Sequence, residues 1–541
     1  MKKFLAYFLV LTFLLAGCGS AKPQLEGVQI DLSDNQITVD GEVITNDPAQ
    51  AVYSAGDIVF YLAGQDFTYG EGGKEDEHEQ SEADAHTVVH ITKPGTYVLS
   101  GKLSLGQIAI DLGKEAQTDP DAVVTLVLNG VDITCEVAPA IIFYNVYECG
   151  SSDEETATKD VDTSKAGANV IITDGTENNV RGAYVAKIYK SYELSEDGTE
   201  IVDSKKLHKY DAAFYSKQTM NVSGGSKGDG ILNIYAENEG LDSELHLTIN
   251  GGIINITAGN DGINTNEDNV SVTTVNGGTL NILCDGSTGE GDGIDSNGWL
   301  VINGGTVIAQ ACAASGDAGI DSDLGIYING GKVVATGNML DHIAGGDQTY
   351  AVFNFAGRQN GGSTYTLKDA DGKTVGEYAP ENAFTYLIVA GDELTAGDYT
   401  FWQEGIQLTA SKTQMMQGGM PWGEKTDMPH RGENQQGTPP EVPEGMEKPE
   451  RPDGEMPQGQ RPEMPDGEKP DDANSGWSVG EIPVMPDGMT PPEMPEGEQP
   501  QMPGGWGGMM GGNWMPGGET STTFTITEGG NQFVNVSPAE D

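Results

Sequence analysis

One short pattern returns five times between residues 211 and 337, and its period limits the possible folds more than any other feature of the chain. VSGG (Val222–Gly225), INGG (Ile249–Gly252), VNGG (Val275–Gly278), INGG (Ile302–Gly305) and INGG (Ile328–Gly331) place Ser223, Asn250, Asn276, Asn303 and Asn329 at intervals of 27, 26, 27 and 26 residues. A fixed period of this length marks stacked units, each of which buries its apolar face only against its neighbours. Between the Gly-Gly corners lie runs such as IINIT (Ile253–Thr257), TLNIL (Thr279–Leu283) and TVIA (Thr306–Ala309). They are short and β-branched, alternate or stay wholly apolar, and end in Gly, Asn or Asp; no helical period is sustained. Three short strands and three turns per repeat predict an all-β chain, a right-handed parallel β-helix or solenoid. Each asparagine is expected to stack on its equivalent one repeat below, about 4.8 Å away. In that reading the row holds the scaffold, and one residue of each Gly-Gly pair takes φ > 0.

Each repeat also carries an acidic corner: DAAFYS at Asp211, EGLDS at Glu239, DGINT at Asp261, DGIDS at Asp292 and DAGIDS at Asp317. Aligned on their apolar residue, one column reads Tyr215, Asp242, Asn264, Asp295 and Asp321. Two residues before the apolar residue stand Glu239, Asp261 and Asp292, with Asp317 one place further back. Carboxylates about 5 Å apart repel by roughly 3 kcal/mol per pair at an effective dielectric near 20. Exposure to salt water reduces that cost, and so does Ca²⁺, which gathers six to eight oxygens from carboxylates, Asn and carbonyls. Asp-Gly and Asn-Gly are also simply good turns. Three of the repeats carry paired acids with glycine between them, and a fourth pairs Asp261 with Asn264, so the expected cofactor is calcium. Its candidate ligands are Asp242, Asp261, Asn264, Asp292, Asp295, Asp317, Asp321 and Glu239.

The chain opens with Lys2 and Lys3, an apolar run from Phe4 to Leu15, and Leu15-Ala16-Gly17-Cys18. The run is too short for a permanent span and reads as an export signal. LAGC followed by Gly19-Ser20 resembles the lipobox of bacterial lipoproteins. That resemblance implies removal of residues 1–17, lipidation of Cys18 and an extracytoplasmic, lipid-anchored location at the cell surface. Cys135, Cys149, Cys284 and Cys312 are too few for a disulfide framework in 541 residues, and Cys284 and Cys312 are expected to be reduced core thiols. Asp plus Glu number 83 against 28 Lys plus Arg, a formal charge of −55, which repels nucleic acid and anionic lipid. Membrane contact is therefore expected only through the lipid anchor. Nothing in the sequence points to an oligomer.

The remaining boundaries follow from composition. Residues 18–84 read as an N-terminal linker and cap, with an acidic, disordered insertion at 70–86 that contains His78 and His86. Residues 85–410 read as the parallel β domain, interrupted by a charged, tyrosine-bearing excursion at 184–210. Residues 411–520 are rich in Pro, Gly, Met and Glu, cannot bury a core and are expected to be disordered. Strand signals return at 521–541, which makes the preceding stretch a long insertion in a domain.

GTYVLSG (Gly95–Gly101), LNGVDITC (Leu128–Cys135), DGTENNV (Asp174–Val180), the alternating INGG and DGI corners and the lipobox together resemble a carbohydrate-binding domain family first described in cellulolytic clostridia. The resemblance covers most of residues 85–410. It implies a pectate-lyase-like β-helix that binds cellulose-like and acidic, pectin-like polysaccharides, with Ca²⁺ along the helix. The partner is then a polysaccharide and the protein a non-catalytic binding module. A calcium-dependent polysaccharide lyase and a surface adhesin with a protein partner are the alternatives. Elimination from a uronic acid needs a base such as Arg or Lys. No arginine lies between Arg181 and Arg358, and Lys217, Lys227 and Lys332 are the only lysines of the array. Aromatic candidates for a sugar platform are Trp299 and Tyr327 in the array and Trp402 beyond it.

Overall fold

The computed structural model describes residues 25–195, 197–413 and 520–539. The export signal with Cys18, and nearly all of the 411–520 segment, lie outside the described residues. What is described is all-β, with one four-residue α-helix and one short 3₁₀ helix.

Each of the five repeats contributes one strand to the second and third of three parallel ladders, and the first four repeats also contribute one to the first. The first ladder stacks Ala212–Ser216, Glu239–Ser243, Ile263–Thr265 and Ile294–Ser296. The second stacks Met220–Gly224, His246–Ile249, Val272–Val275, Trp299–Ile302 and Gly325–Ile328. The third stacks Ile231–Ala236, Ile253–Ala258, Thr279–Cys284, Thr306–Gln310 and Lys332–Gly337. Alternation decides which side chains enter the core. In Ile253–Ala258, Ile254, Ile256 and Ala258 are buried while Ile253, Asn255 and Thr257 are only partly covered. Cys284 and Cys312 are buried free thiols of this core.

The asparagine row forms as the period predicts. Asn276 Nδ2 donates to Asn250 Oδ1 at 2.9 Å, Asn303 to Asn276 at 2.9 Å, and Asn329 to Asn303 at 2.8 Å. The glycine that needs φ > 0 is the second of each pair: Gly252 at 94°, Gly278 at 88°, Gly305 at 81° and Gly331 at 84°. A side chain there is excluded twice over. A Cβ on Gly305 would also sit 2.8 Å from the backbone of Gly277 and Gly278 in the repeat below. Gly305→Ala should therefore cost about 3 kcal/mol, combining left-handed strain with overpacking. Asn303→Ala, which removes two exposed hydrogen bonds, should cost only about 1–2 kcal/mol. Urea denaturation of the two variants checks this order, and equal midpoints would contradict it.

The stack extends further toward the N-terminus than the 85–410 boundary allowed. Val28–Leu32 pairs in parallel with Gly95–Leu103, which continues through Val124–Cys135 and Ala168–Ile172 to Met220–Gly224. The first ladder likewise begins with Thr87–Ile91, Gly106–Asp111 and Ile141–Asn145, and Val52–Ala55 closes its open edge antiparallel. The 184–210 excursion is an antiparallel hairpin of Val185–Leu194 and Ile201–Tyr210. Residues 70–86, expected to be a disordered acidic insertion, are instead ordered. His78 N–H donates to Tyr61 O at 2.9 Å, and Gln80–Ala83 forms the short helix. His86 is buried, with Nδ1 2.8 Å from Glu82 O and Nε2 accepting from Glu136 N–H at 3.1 Å. It is a satisfied core histidine. Together with the bonds from Glu71 N–H to Lys187 O at 2.8 Å and from Tyr61 OH to Gly72 O at 3.1 Å, it ties an otherwise polar loop to the stack.

At the other end, parallel stacking stops with Ile343–Gly345, so the 85–410 span does not stay parallel throughout. Lys332–Gly337 pairs antiparallel with Phe384–Ala390, which pairs antiparallel with Tyr350–Gln359. The reason is chemical: no apolar-Asn-Gly-Gly corner follows Gly331 at the repeat interval, since Asn360-Gly361-Gly362 comes after Gln359, and turns such as Asp371-Gly372 suit hairpins. A second aromatic core forms here, around Phe353, Phe355, Tyr365, Phe384, Phe401, Phe524 and Phe533. Gly530–Pro538 enters this layer beside Tyr350–Gln359 and Ile406–Thr413. The C-terminal strands thus complete the layer that 350–413 begins.

Candidate functional site

The first ladder carries the acidic corners, and its register brings the expected column together. Tyr215, Asp242, Asn264 and Asp295 are successive cross-strand neighbours. Asp321 follows without regular strand pairing, its N–H donating to Ile294 O at 2.7 Å. Asp242 is fully buried, and Asn266 Nδ2 donates to both of its carboxylate oxygens at 2.9 and 3.0 Å. Asn264 Nδ2 donates to Glu239 Oε1 at 3.1 Å, while Asn264 Oδ1 is buried without a hydrogen-bond partner.

The second acidic row acts as a series of clips between repeats. Asp261 Oδ1 accepts the Asp292 N–H at 2.7 Å. Asp292 Oδ1 accepts the Ala318 N–H at 2.5 Å, and Asp317 Oδ2 accepts the Gly291 N–H at 2.5 Å. These bonds satisfy corner amides that the strands leave over. They do not neutralise the carboxylates. Burial, then the neighbouring Asp292 charge, holds the Asp261 carboxyl well above its ordinary range. Burial and the charge of Asp321 push Asp292 up to about 8. Burial, Asp341 and Asp295 push Asp321 up to about 7. Asp323 is raised by burial and by Asp268 and Asp341. Among the described residues, no Lys, Arg or His forms an ion pair with Asp261, Asp292, Asp317 or Asp321. Low dielectric and like charges thus act together along one edge.

The eight expected ligands are strung along that edge and do not meet at one point. Among the described residues, no three His, Cys, Asp or Glu side chains gather into a metal-holding group. The donor chemistry is that of a hard cation: carboxylates plus the unpartnered Asn264 Oδ1. The spacing provides no ready-made cage. Asp323 and Asp341 belong to the same electrostatic edge, and the corner alignment missed them because both follow the last corner motif. Asp341 Oδ2 also accepts the Ser322 N–H at 3.0 Å.

The aromatic candidates are dispersed. Trp299 and Tyr327 are partly exposed on the second ladder, and Lys159 Nζ lies 5.2 Å from the Tyr327 ring centroid. Trp402 belongs to the antiparallel layer, with Lys368 Nζ 4.9 Å from its ring. Tyr235, which carries no distinguishing sequence signal, is exposed on the third ladder under Arg181 at 4.5 Å.

Apart from Val28–Leu32 and Val52–Ala55, the ladders lie with both acidic rows and the array aromatics within residues 85–366, the span that matches the family model for carbohydrate-binding domain-containing proteins. That span is more than half of the chain. The chain belongs to the carbohydrate-binding domain family. A carbohydrate-binding domain-containing protein of Acetivibrio thermocellus is 31% identical over 172 residues, which is 31% of this chain and 45% of that protein. The chain thus spans about half the length of the curated relative it matches. Among solved structures, the polysaccharide lyase-like protein from C. thermocellum, as a gadolinium derivative, aligns with 59% of this chain and 98% of its own, at 18% identity and a TM-score of 0.31. A likeness of that size carries no argument about chemistry. For this carbohydrate-binding domain, the acidic edge and the outer faces of the ladders are the surfaces that remain to be assigned.

Proposed function

We propose that this carbohydrate-binding domain is a calcium-dependent, non-catalytic polysaccharide-binding lipoprotein, displayed outside the bacterial membrane by a lipid on Cys18. In this reading the three ladders are the walls of a right-handed parallel β-helix. The single observation that carries the calcium reading is the row of buried and half-buried carboxylates inside the family-matched span, of which Asp261, Asp292 and Asp321 have no basic partner among the described residues. At neutral pH such a row either keeps protons or takes up cations. Extracellular Ca²⁺ is a hard divalent cation at concentrations suited to weak oxygen sites. Asp261, Asp292, Asp295, Asp317 and Asp321, with Asn264, Glu239 and Asp242, would hold it between neighbouring repeats, with water completing the shell. A uronate carboxylate of a pectin-like chain would then share a partly open ion, giving binding without bond cleavage.

The test is a retention assay of the purified protein on insoluble cellulose and immobilised polygalacturonate, in Ca²⁺ and in EDTA, with ultraviolet detection of unsaturated sugar products. Calcium-dependent retention on polygalacturonate without unsaturated product supports the proposal. Steady accumulation of unsaturated product would replace it with a lyase. Retention on neither material in either buffer would leave a protein-binding adhesin as the better account.

A further inference from the structure

A groove on another face of the stack shows a separate chemistry. On the outside of the second ladder, Asn221, Thr248, Thr274, Val301 and Tyr327 form one column in continuous parallel register. Two residues further along each strand runs the exposed asparagine row from Asn250 to Asn329. The segment 159–164 lies lengthwise beside them. Thr163 Oγ1 is 2.7 Å from Thr248 Oγ1, and Thr163 O accepts from Asn221 Nδ2 at 2.8 Å. At the segment's other end, Lys159 sits against Tyr327. Between the segment and the asparagine row is an open groove of about 520 Å³ that crosses successive repeats.

Its lining is built to hydrogen-bond. An asparagine amide has two N–H donors and two acceptor lone pairs. Each inter-repeat bond consumes one of each, so every repeat still offers a donor and an acceptor outward, about every 4.8 Å. That is close to the rise of one unit in an extended β-linked sugar chain. At the closed end, Asn221 is only 8% exposed, and its Oδ1 has no hydrogen-bond partner. A buried acceptor left unmet is costly, and a ligand hydroxyl would satisfy it. Charge selects among sugars. The ionisable groups lining the groove are Lys159, Asp160 and Asp162, and Lys159 is already paired with Asp160 at 2.6 Å. No cation is left over for a uronate, and Asp162 would repel one.

We infer that this groove binds a neutral, extended, β-linked glycan lengthwise, between segment 159–164 and the asparagine row, with Tyr327 at its open end. The inference rests on the polysaccharide-binding reading and adds a second sugar site, independent of the acidic edge and of calcium. The full chain is titrated calorimetrically with cellohexaose and, separately, with an oligogalacturonate, in Ca²⁺ and in EDTA. Two variants are compared: Thr274→Trp, which fills the groove from a partly exposed position, and Tyr327→Ala at its rim. The expected result is cellohexaose binding that survives EDTA and weakens about tenfold or more in Thr274→Trp. Tyr327→Ala should weaken it as well, with the oligogalacturonate affinity unchanged in both variants. If Thr274→Trp lowers the Tm, Tyr327→Ala decides alone. Unchanged cellohexaose affinity in the folded variants overturns the groove while leaving polysaccharide binding intact. Wild-type binding of oligogalacturonate alone overturns it too. Binding of neither sugar, with no retention on either insoluble polymer, is the failure of the parent reading.

Discussion

Stripped of divalent cations, the protein will be less stable at pH 8.5 than at pH 5. Asp261, Asp292 and Asp321 hold their protons more tightly when folded than the ordinary value of 3.8, with Asp292 raised to about 8 and Asp321 to about 7. Between pH 4 and pH 8 the folded chain therefore binds more protons than the unfolded chain, so stability falls as pH rises through that window. Each tenfold difference in proton affinity is worth about 1.4 kcal/mol, so the summed loss is several kcal/mol. The carboxyls held below their ordinary range, such as Asp34 and Asp174, titrate below this window, while His246, which burial lowers to about 4, gains stability up to about pH 6.5 and offsets only part of the loss from the three carboxyls. Calcium should cancel the decline, adding about 2.7 kcal/mol at a hundredfold excess over Kd. The check is a set of thermal melts across pH 5–8.5 in EDTA and in Ca²⁺. A Tm in EDTA that is level or rises with pH would show that the edge carries no buried charge penalty.

The second large effect concerns the antiparallel layer. Phe353 is fully buried, with its ring 4.3 Å from Phe401 and 5.4 Å from Phe533, centroid to centroid. It joins the 350–413 strands to the segment that returns after residue 520. Phe353→Ala should cost about 3–5 kcal/mol, and limited proteolysis should then release the C-terminal strands before the parallel stack is cut. Loss of both regions together would mean that they melt as one unit.

The parts legible in the sequence are those with a local, repeated signal. The Asn-Gly-Gly corners announced the asparagine row because each needs φ > 0 and a stacked amide at a fixed offset. A second row was not seen in advance: Asn233 donates to Asn179 at 2.9 Å, Asn255 to Asn233 at 2.8 Å and Asn281 to Asn255 at 2.8 Å. Its signal is one polar residue inside an alternating strand, which alternation alone explains. The coils from residue 85 onward were legible as part of the parallel domain, but Val28–Leu32 was not, because it lies before the long stretch that precedes Thr87 and carries no corner motif. The aromatic core could not be read locally, since Phe353 and Phe533 meet only through tertiary pairing. The acidic columns were legible as offsets from an apolar residue. Their use as backbone clips was not, because which amides the corners leave over depends on the neighbouring repeat. The groove beside Thr163 depends on a loop whose path has no sequence signature.

In the proposed function the acidic edge holds calcium and, through it, an acidic polysaccharide. The most direct test is retention on immobilised polygalacturonate for the wild type and for Asp292→Ala combined with Asp295→Ala, each in Ca²⁺ and in EDTA. The wild type should be retained in Ca²⁺ and released by EDTA, and the folded double variant should be retained weakly in either buffer. Equal retention of both proteins, unaffected by EDTA, would contradict it and reduce the acidic edge to a set of turn-forming aspartates.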